Sequence, residues 1–454
     1  MMQSEIVQAP GPRQWPLVGN LGVFRGVLQF FEQAWREHGD VFRLRVGGQD
    51  LLVIAHPDLL QQVLVSKRHS YVKGRSYDAV RTIAGDSLLT LEGETWRARR
   101  TLAQPAFHRQ SLEKLTQIMV DTGARYFSGL ERRCGTPLDM HQEMVRLTLD
   151  VVVDTLFGRG TIESSQISFD TLNQALELVS LSVSGVQLPA WVPTPHNLKL
   201  QRTVRALNDN VFQIIRIARE RGEEGTLLSM LLDERDEHGQ PLSDQALRDE
   251  VITFVLAGHE TTALTLTWFF ALLEHRPEVL AHMRDEVDQV LGGDAPTFAT
   301  LPKLVYVRQV VDEVLRLRPP GAMIGRNAIE ADELGGYHVA PGQVVTPFIW
   351  AAHRHPDFWD QPERFMPERA KPRHPAAYLP FSVGPRTCIG NSFALFEAVI
   401  LLAQLIARFE IEIGDCSDVR PQYMGSVRPS RPVRVKLTPR RSGGAQKLLG
   451  GQTS

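Results

Sequence analysis

The residues best suited to chemistry lie in one short run, Phe381-Ser-Val-Gly-Pro-Arg-Thr-Cys388-Ile-Gly390. It places a single cysteine in a loop bent by Gly and Pro, next to an arginine, at the start of an apolar helix. A cysteine becomes a good metal ligand when positive charge and helix N-terminal dipoles stabilise its thiolate. Gly384 can take a positive φ, so the loop can fold back under a flat ligand. Gly390 lets a helix or a ring approach closely. Arg386 offers a fixed fork of donors for a carboxylate, and Phe381 can shield the sulfur from water. A lone cysteine is more often a buried core thiol; its grouping with these neighbours sets Cys388 apart.

A second constellation is Ala257-Gly-His-Glu-Thr-Thr262, inside the apolar run Val251 to Leu273. A mid-helix threonine can donate to the carbonyl four residues back and bend the helix. Here Thr261 reaches Ala257, and Gly258 removes a side chain beside the bend, which together open a groove for a small molecule. Glu260, one step away, can relay protons through water. Trp96 and Arg100 share a helix face. So do Glu313 and Arg316, although most such pairs are exposed and contribute a few tenths of a kcal/mol. Two Pro-Glu-Arg copies follow, ending at Arg364 and Arg369.

The cysteine loop suits a haem iron held by one axial thiolate. Its spacing, Phe-x-x-Gly-x-Arg-x-Cys-x-Gly, resembles the haem-binding loop of cytochrome P-450 monooxygenases at every fixed position, and the resemblance covers about residues 10 to 437. It implies a mainly α fold with small β-sheets (α+β), a triangular prism with the long central helix over the haem. It implies haem b as cofactor, with Cys388 as the iron ligand. Phe381, Gly390, Ala257 and Gly258 then lie against the ring, and Trp96, Arg100, Arg326 and Arg386 hold its propionates. Thr261 and Glu260 become the proton-delivering pair during dioxygen activation. The resemblance also implies that Glu313 and Arg316 are buried behind the haem loop with a further arginine. Spacing from Trp359 favours Arg369 as that partner and Arg364 as exposed, although Ala370 replaces the family's usual aromatic. His353, in His-Arg-His-Pro356, is read as structural.

These groups need a scaffold. The Pro-rich lead-in ends near Asn20. Helices are expected over 28–38, 95–104, 112–131, 143–156, 277–291, 305–318 and 393–409, and His56-Pro57 opens another. Ser243-Asp244 reads as the N-cap of the central helix and Arg276-Pro277 as its end. Val41–Val46 and Leu51–Ala55 read as a hairpin around Gly47-Gly48. Ser70 to Leu91 reads as irregular, and Pro189 to Pro195 as a break between two further helices. One haem-binding domain over 1–454 is expected, with β-rich parts near 40–55 and 320–350 and a mobile tail over 438–454.

Composition is that of a soluble globular protein, with 43% apolar and 22% charged residues. A formal net charge of −2 excludes a strongly basic nucleic-acid binder. Cys134, Cys388 and Cys416 are too few and too scattered for a disulfide framework or a zinc site, which points to a reducing cytoplasm. The polar N-terminus has no apolar stretch for a signal or anchor, and Val251–Leu273 reads as a buried core helix. The chain is expected to be a monomer and a soluble bacterial member of the family. The patterns Gly93–Arg100 and Ala257–Thr262 are similar to the branch of fatty-acid hydroxylases and microsomal enzymes.

No dinucleotide fingerprint follows a strand and no iron–sulfur cysteine set exists, so electrons come from a separate ferredoxin with its reductase or a flavoprotein. Arg97, Arg99, Arg109 and Lys114 could form its docking patch or be a solvated face. By position in the family, residues 70–91, 178–195, Phe254, Ala257, 320–324 and Met424–Ser426 line a pocket for a lipophilic substrate such as a fatty acid or terpenoid. A peroxide-driven enzyme or haem isomerase would share the cysteine loop without needing Glu260 and Thr261. A non-catalytic haem sensor and a haem-free scaffold are the remaining readings.

Overall fold

The computed structural model describes residues 8–440, apart from 16–18, 47, 75–76, 160–191, 222–224 and 236–238. Thirteen α-helices occur among the described residues: α1 (Val27–His38), α2 (Pro57–Gln61), α3 (Asp78–Ala84), α4 (Gly93–Ala103), α5 (Arg109–Glu131), α6 (Met140–Phe157), α7 (Pro195–Arg221), α8 (Leu227–Asp233), α9 (Asp244–Leu273), α10 (Pro277–Leu291), α11 (Val305–Leu317), α12 (Ile349–Ala352) and α13 (Asn391–Arg408). The fold is mainly α with small sheets, as the family resemblance implies.

The scaffold is organised by α9. Its 30 residues span about 45 Å at 1.5 Å per residue. The Ser243 hydroxyl caps it, accepting the Ala246 N–H at 3.2 Å. Most of Val251–Leu273 is buried because α6, α7, α11 and α13 all pack on this helix. The helix ends at Leu273, three residues before Arg276. Pro277 instead occupies the first turn of α10, where a missing N–H costs nothing.

The main sheet has the order β1-β2-β8-β5-β3, formed by Val41–Val46, Gln49–Ile54, Val344–Pro347, Arg326–Ala328 and Tyr71–Val72, and β6 (Asp332–Leu334) with β7 (Tyr337–Val339) forms a separate hairpin. β1 and β2 form the expected hairpin, with Val41 opposite Ile54. β2 runs parallel to β8, and β5 pairs with β8 so that Arg326 faces Val345 across the ladder. Arg326 therefore starts from a strand clamped on both sides rather than from a loop.

Three expectations change. The segment 70–91 contains β3 and α3. Two C-terminal sheets appear: β4 (Pro137–Asp139), β12 (Arg434–Pro439) and β9 (Phe409–Ile413) in the order β4-β12-β9, and the hairpin β10 (Pro421–Tyr423)–β11 (Val427–Pro429). Thr438 and Pro439 pair with Glu410 and Phe409 in β12. The rest of the expected tail, 441–454, lies outside the described residues.

Candidate active site

The cysteine loop is fixed by its own backbone. The Cys388 N–H donates to the Phe381 carbonyl at 2.9 Å, and the Thr387 N–H and hydroxyl both donate to Gly384 O, at 3.0 and 2.6 Å. Gly384 has φ +77°, and a Cβ there would lie 2.6 Å from the Leu64 carbonyl oxygen, so two constraints demand glycine. Gly390 sits at the head of α13 with φ −88°. Among the described residues, a Cβ on it would touch only Phe107, at 3.7 Å. No atom of the described residues accounts for that glycine, whereas a flat ring against the loop would.

Cys388 opens onto a largely apolar cavity of about 1750 Å³, part of it continuous with solvent. Protein atoms crowd its sulfur everywhere else. Burial therefore pushes the thiol up, against a downward pull from the Gly390 N–H and the Arg100 guanidinium. The expected stabilisation of the thiolate by charge and dipole is present but outweighed. A metal bound at the sulfur would ionise the thiol outright.

Facing the loop, α9 contributes Phe254, Ala257, Gly258 and Thr261 to the cavity wall. Thr261 Oγ1 donates to Ala257 O at 2.7 Å, as its position four residues on dictates. Thr262 and Thr265 repeat the pattern onto Gly258 and Thr261, at 3.1 and 2.9 Å. The helix stays α-helical throughout this stretch, so any widening there comes from hydroxyls turned back on carbonyls, not from a break. Gly258 also has a packing reason: a Cβ would meet Val152 Cγ2 at 3.0 Å.

Glu260 is placed otherwise than expected. It does not line the cavity. Its Oε1 accepts from Ser426 Oγ at 2.7 Å and from Arg428 Nε at 2.9 Å, beside the β10–β11 hairpin. Ser426 is thereby occupied, and none of Met424–Ser426 lines the cavity. Of the other expected pocket segments, Lys73, Tyr77, Leu88 and Leu89 and then Pro320, Gly321 and Ile324 do line it. Residues 178–191 lie outside the described set.

A ring of cations borders the same cavity. Trp96 carries two guanidiniums, Arg386 at 3.7 Å and Arg100 at 5.9 Å from its ring centre. Arg100 Nη1 donates to Thr387 O at 2.8 Å, tying α4 to the cysteine loop. Arg386 bonds Leu91 O at 3.0 Å and pairs with Glu92. Arg326 is buried and, among the described residues, bonds only its neighbour Gly325 O, at 2.8 Å. Lys73, which sequence reasoning missed, completes the set; burial, with Arg386 and Arg326 near, lowers it to about 7. Burial likewise lowers Arg100 and Arg386. Among the described residues these four cations share one nearby carboxylate, Glu92, so the donor set calls for anionic oxygens. A haem, with two propionates and an iron for Cys388, fits these residues.

The buried network behind the loop is bidentate. Arg316 Nε and Nη2 bond Glu313 Oε2 and Oε1 at 2.8 and 2.7 Å. Arg369 Nε reaches Glu313 Oε1 at 3.5 Å, while Arg364 stays exposed, which resolves the choice between them. His353 donates through Nδ1 to Arg316 O at 3.1 Å and accepts the Leu379 N–H at Nε2, at 2.7 Å. Complete burial lowers it to about 3, so it is a neutral strut. One further cluster, Asp40, His56 and His355, has ligand atoms within 4.8 Å of one another. Both rings accept a backbone N–H at Nδ1, from Asp58 and Asp357. Nε2 then carries the proton in each neutral ring, which opposes metal ligation and favours bonding to Asp40.

On the outer surface, Arg97, Arg109 and Lys114 are exposed. Arg99 is not available with them: it turns inward and pairs with Glu250 at 3.0 Å.

Residues 9–437 match the family model Cytochrome P450. The pentalenene oxygenase of Streptomyces avermitilis is 33% identical, over 98% of this chain and 100% of its own length. The cyclooctat-9-en-7-ol 5-monooxygenase of Streptomyces melanosporofaciens is 35% identical, over 89% of this chain and 91% of its own. The crystal structure of the cytochrome P450DA heme domain superposes with a TM-score of 0.87 at 28% identity, covering 96% of this chain and 98% of that one. With the thiolate loop, the back-bonded threonines and the cation ring already in place, the chain belongs to the cytochrome P-450 family. It is a haem-dependent monooxygenase that uses dioxygen and external electrons to oxidise a lipophilic small molecule.

Proposed function

We propose that the substrate is a terpenoid, a compact cyclic hydrocarbon or its first oxidation product, hydroxylated or epoxidised by one oxygen atom of dioxygen. The observation that carries this reading is that Cys388 and the Ala257–Thr261 face of α9 wall one apolar cavity. The names of the two Streptomyces relatives support the substrate class.

Cys388 would ligate the iron of haem b through Sγ, with Phe381 covering the sulfur and Gly390 and Ala257 leaving room for the ring. Trp96, Arg100, Arg326, Arg386 and Lys73 would hold the propionates. The haem, when bound, would activate dioxygen so that one of its atoms is inserted into the substrate. Leu88, Leu89 and Phe254 exclude water and set the pocket's shape. Thr261 donates its hydroxyl hydrogen bond to the Ala257 carbonyl, which leaves its lone pairs to order a water on the cavity side. Glu260 feeds protons toward that water from the Arg428 side of the helix. Electrons arrive from a ferredoxin or flavoprotein that docks on the surface carrying Arg97, Arg109 and Lys114. The protein works as a monomer of one haem-binding domain, and its free thiols suit the cytoplasm.

The test is a spectral-shift titration of the haem-loaded protein with cyclic terpene hydrocarbons and, separately, fatty acids, followed by product analysis with a ferredoxin system. Shifts and oxygenated product from the terpenes support the reading; a response to fatty acids alone rejects the substrate class.

A further inference from the structure

Two acids on successive residues of α9, Asp249 and Glu250, are 3% and 0% exposed, and neither lines the cavity. Acidic side chains are almost never buried so far unless they are paired. Both turn to one short stretch of chain. Asp249 Oδ2 accepts the Asp86 N–H at 2.9 Å, and Glu250 Oε1 accepts the Leu88 N–H at 2.8 Å. The approach is close: Gly85 has φ +59°, and a Cβ there would collide with the Asp249 carboxylate.

The acids are themselves held in place. Asp249 Oδ1 accepts from Gln245 Nε2 at 2.9 Å and from Arg248 Nη1 at 2.7 Å, and Arg248 Nε reaches Asn208 Oδ1 of α7 at 2.8 Å. Glu250 Oε1 also takes Arg99 Nη1 of α4 at 3.0 Å. The far end of the stretch is tied to the cation ring. Lys73 Nζ donates to Leu89 O, and Arg386 Nη1 donates to Leu91 O at 3.0 Å. Between these ties stand Leu88 and Leu89, which both line the cavity. Buried ionic groups add little net stability over apolar residues of similar volume. What these acids contribute is a fixed geometry for the wall between them and the cation ring.

We propose that Asp249 and Glu250 are positioning residues that set substrate specificity: by holding the Asp86 and Leu88 amides, they fix the Leu88–Leu89 wall relative to α9. That wall then determines which part of a substrate lies against the Ala257–Thr261 face. The inference deepens the monooxygenase reading and rests on it for this last consequence alone.

The test titrates the holoenzyme with two iron-binding azoles, reading affinity from the Soret shift per haem. Imidazole is small enough to leave the wall untouched, whereas the three aryl rings of clotrimazole must pack against it. Glu250→Leu combined with Arg99→Met leaves no buried charge unpaired. That variant should weaken clotrimazole binding severalfold and leave imidazole binding unchanged. Leu88→Ala should do the same, and adding it to the first variant should weaken clotrimazole little further, because both changes act on one wall. Glu250→Gln keeps Oε1 as an acceptor and should stay with wild type. Asp249→Asn has one oxygen for donors on two sides; it should move clotrimazole in the same direction, and it carries the test if the first variant holds no haem. A merely structural role would move both azoles together or neither. Either of those results, or effects of the Leu88 and Glu250 changes that simply sum, overturns the inference. In turnover of limonene, the ratio of oxygenated isomers should shift in step with clotrimazole affinity. A wild type that gives no limonene product counts against the terpenoid reading instead, because the azole result stands without turnover.

Discussion

Gly258 packs against Val152 across the α9–α6 contact, where a Cβ would sit 3.0 Å from Val152 Cγ2, tighter than an ordinary van der Waals contact. Overpacking a core costs about 1–3 kcal/mol, and Gly→Ala in a helix returns at most about 1 kcal/mol. Gly258→Ala should therefore lose about 1 kcal/mol of stability in denaturant unfolding. Adding Val152→Ala should cancel the clash, so the double variant loses less than the two single losses summed. Strict additivity would show that the glycine serves only the cavity side.

Removing one member of the Glu313–Arg316–Arg369 network leaves a buried guanidinium without its carboxylate. Such a break costs about 3–5 kcal/mol, a large part of a domain's stability. Glu313→Ala should give haem-free or insoluble protein, read as the haem-to-protein ratio after purification. Glu313→Gln, which keeps an acceptor for Met366 N–H, should fall between. Normal haem content in Glu313→Ala would remove the structural role.

The ease of reading that network from sequence shows where legibility ends. Glu313 with Arg316, Thr261 with Ala257 and Cys388 with its loop act through chain-local spacing, so their arrangement follows from helix geometry and short loops, whereas Arg369, 56 residues from Glu313, was legible only through the family resemblance. Helix limits came within a few residues for the same reason. Glu260 and Arg99 were misplaced because their partners, Arg428 and Glu250, are about 150 residues away or more. Only the packed fold decides which face such residues take. Lys73 gave no signal at all: its burial depends on β3 pairing with β5, a strand pair of two residues. β9 and β12 do carry alternation, in Phe409-Ile411-Ile413 and Val435-Leu437, but the first directly continues an apolar helix.

Glu250 makes a pH prediction. It holds the Leu88 N–H at 2.8 Å and Arg99 at 3.0 Å, and burial raises it to about 7 from 4.5. Between those values the native protein binds more protons than the unfolded chain, so stability falls as pH rises. The contribution is complete below the unfolded value and gone above about 7. Glu250→Gln should therefore be more destabilising relative to wild type at about pH 5 than at about pH 7.5. The reverse order in denaturant unfolding would contradict the assignment.

The cation ring makes a prediction for haem retention. Arg386→Gln removes both the propionate donor and the stack on Trp96, and should shed haem to an apo-protein competitor faster than wild type. Lys73→Met should also release haem faster. It should nonetheless stabilise the haem-free form, because a desolvated ammonium is replaced by an apolar chain of similar length. Unchanged haem release in both variants would place the propionates elsewhere.

The central claim is one sulfur donating to iron, and the absorption spectrum of the reduced, carbon monoxide-treated holoprotein tests it most directly. Wild type should show the strongly red-shifted Soret band of a thiolate-ligated haem, and Cys388→Ala should lose it. A coloured protein without that band, or a Cys388→Ala variant that keeps it, would contradict the account.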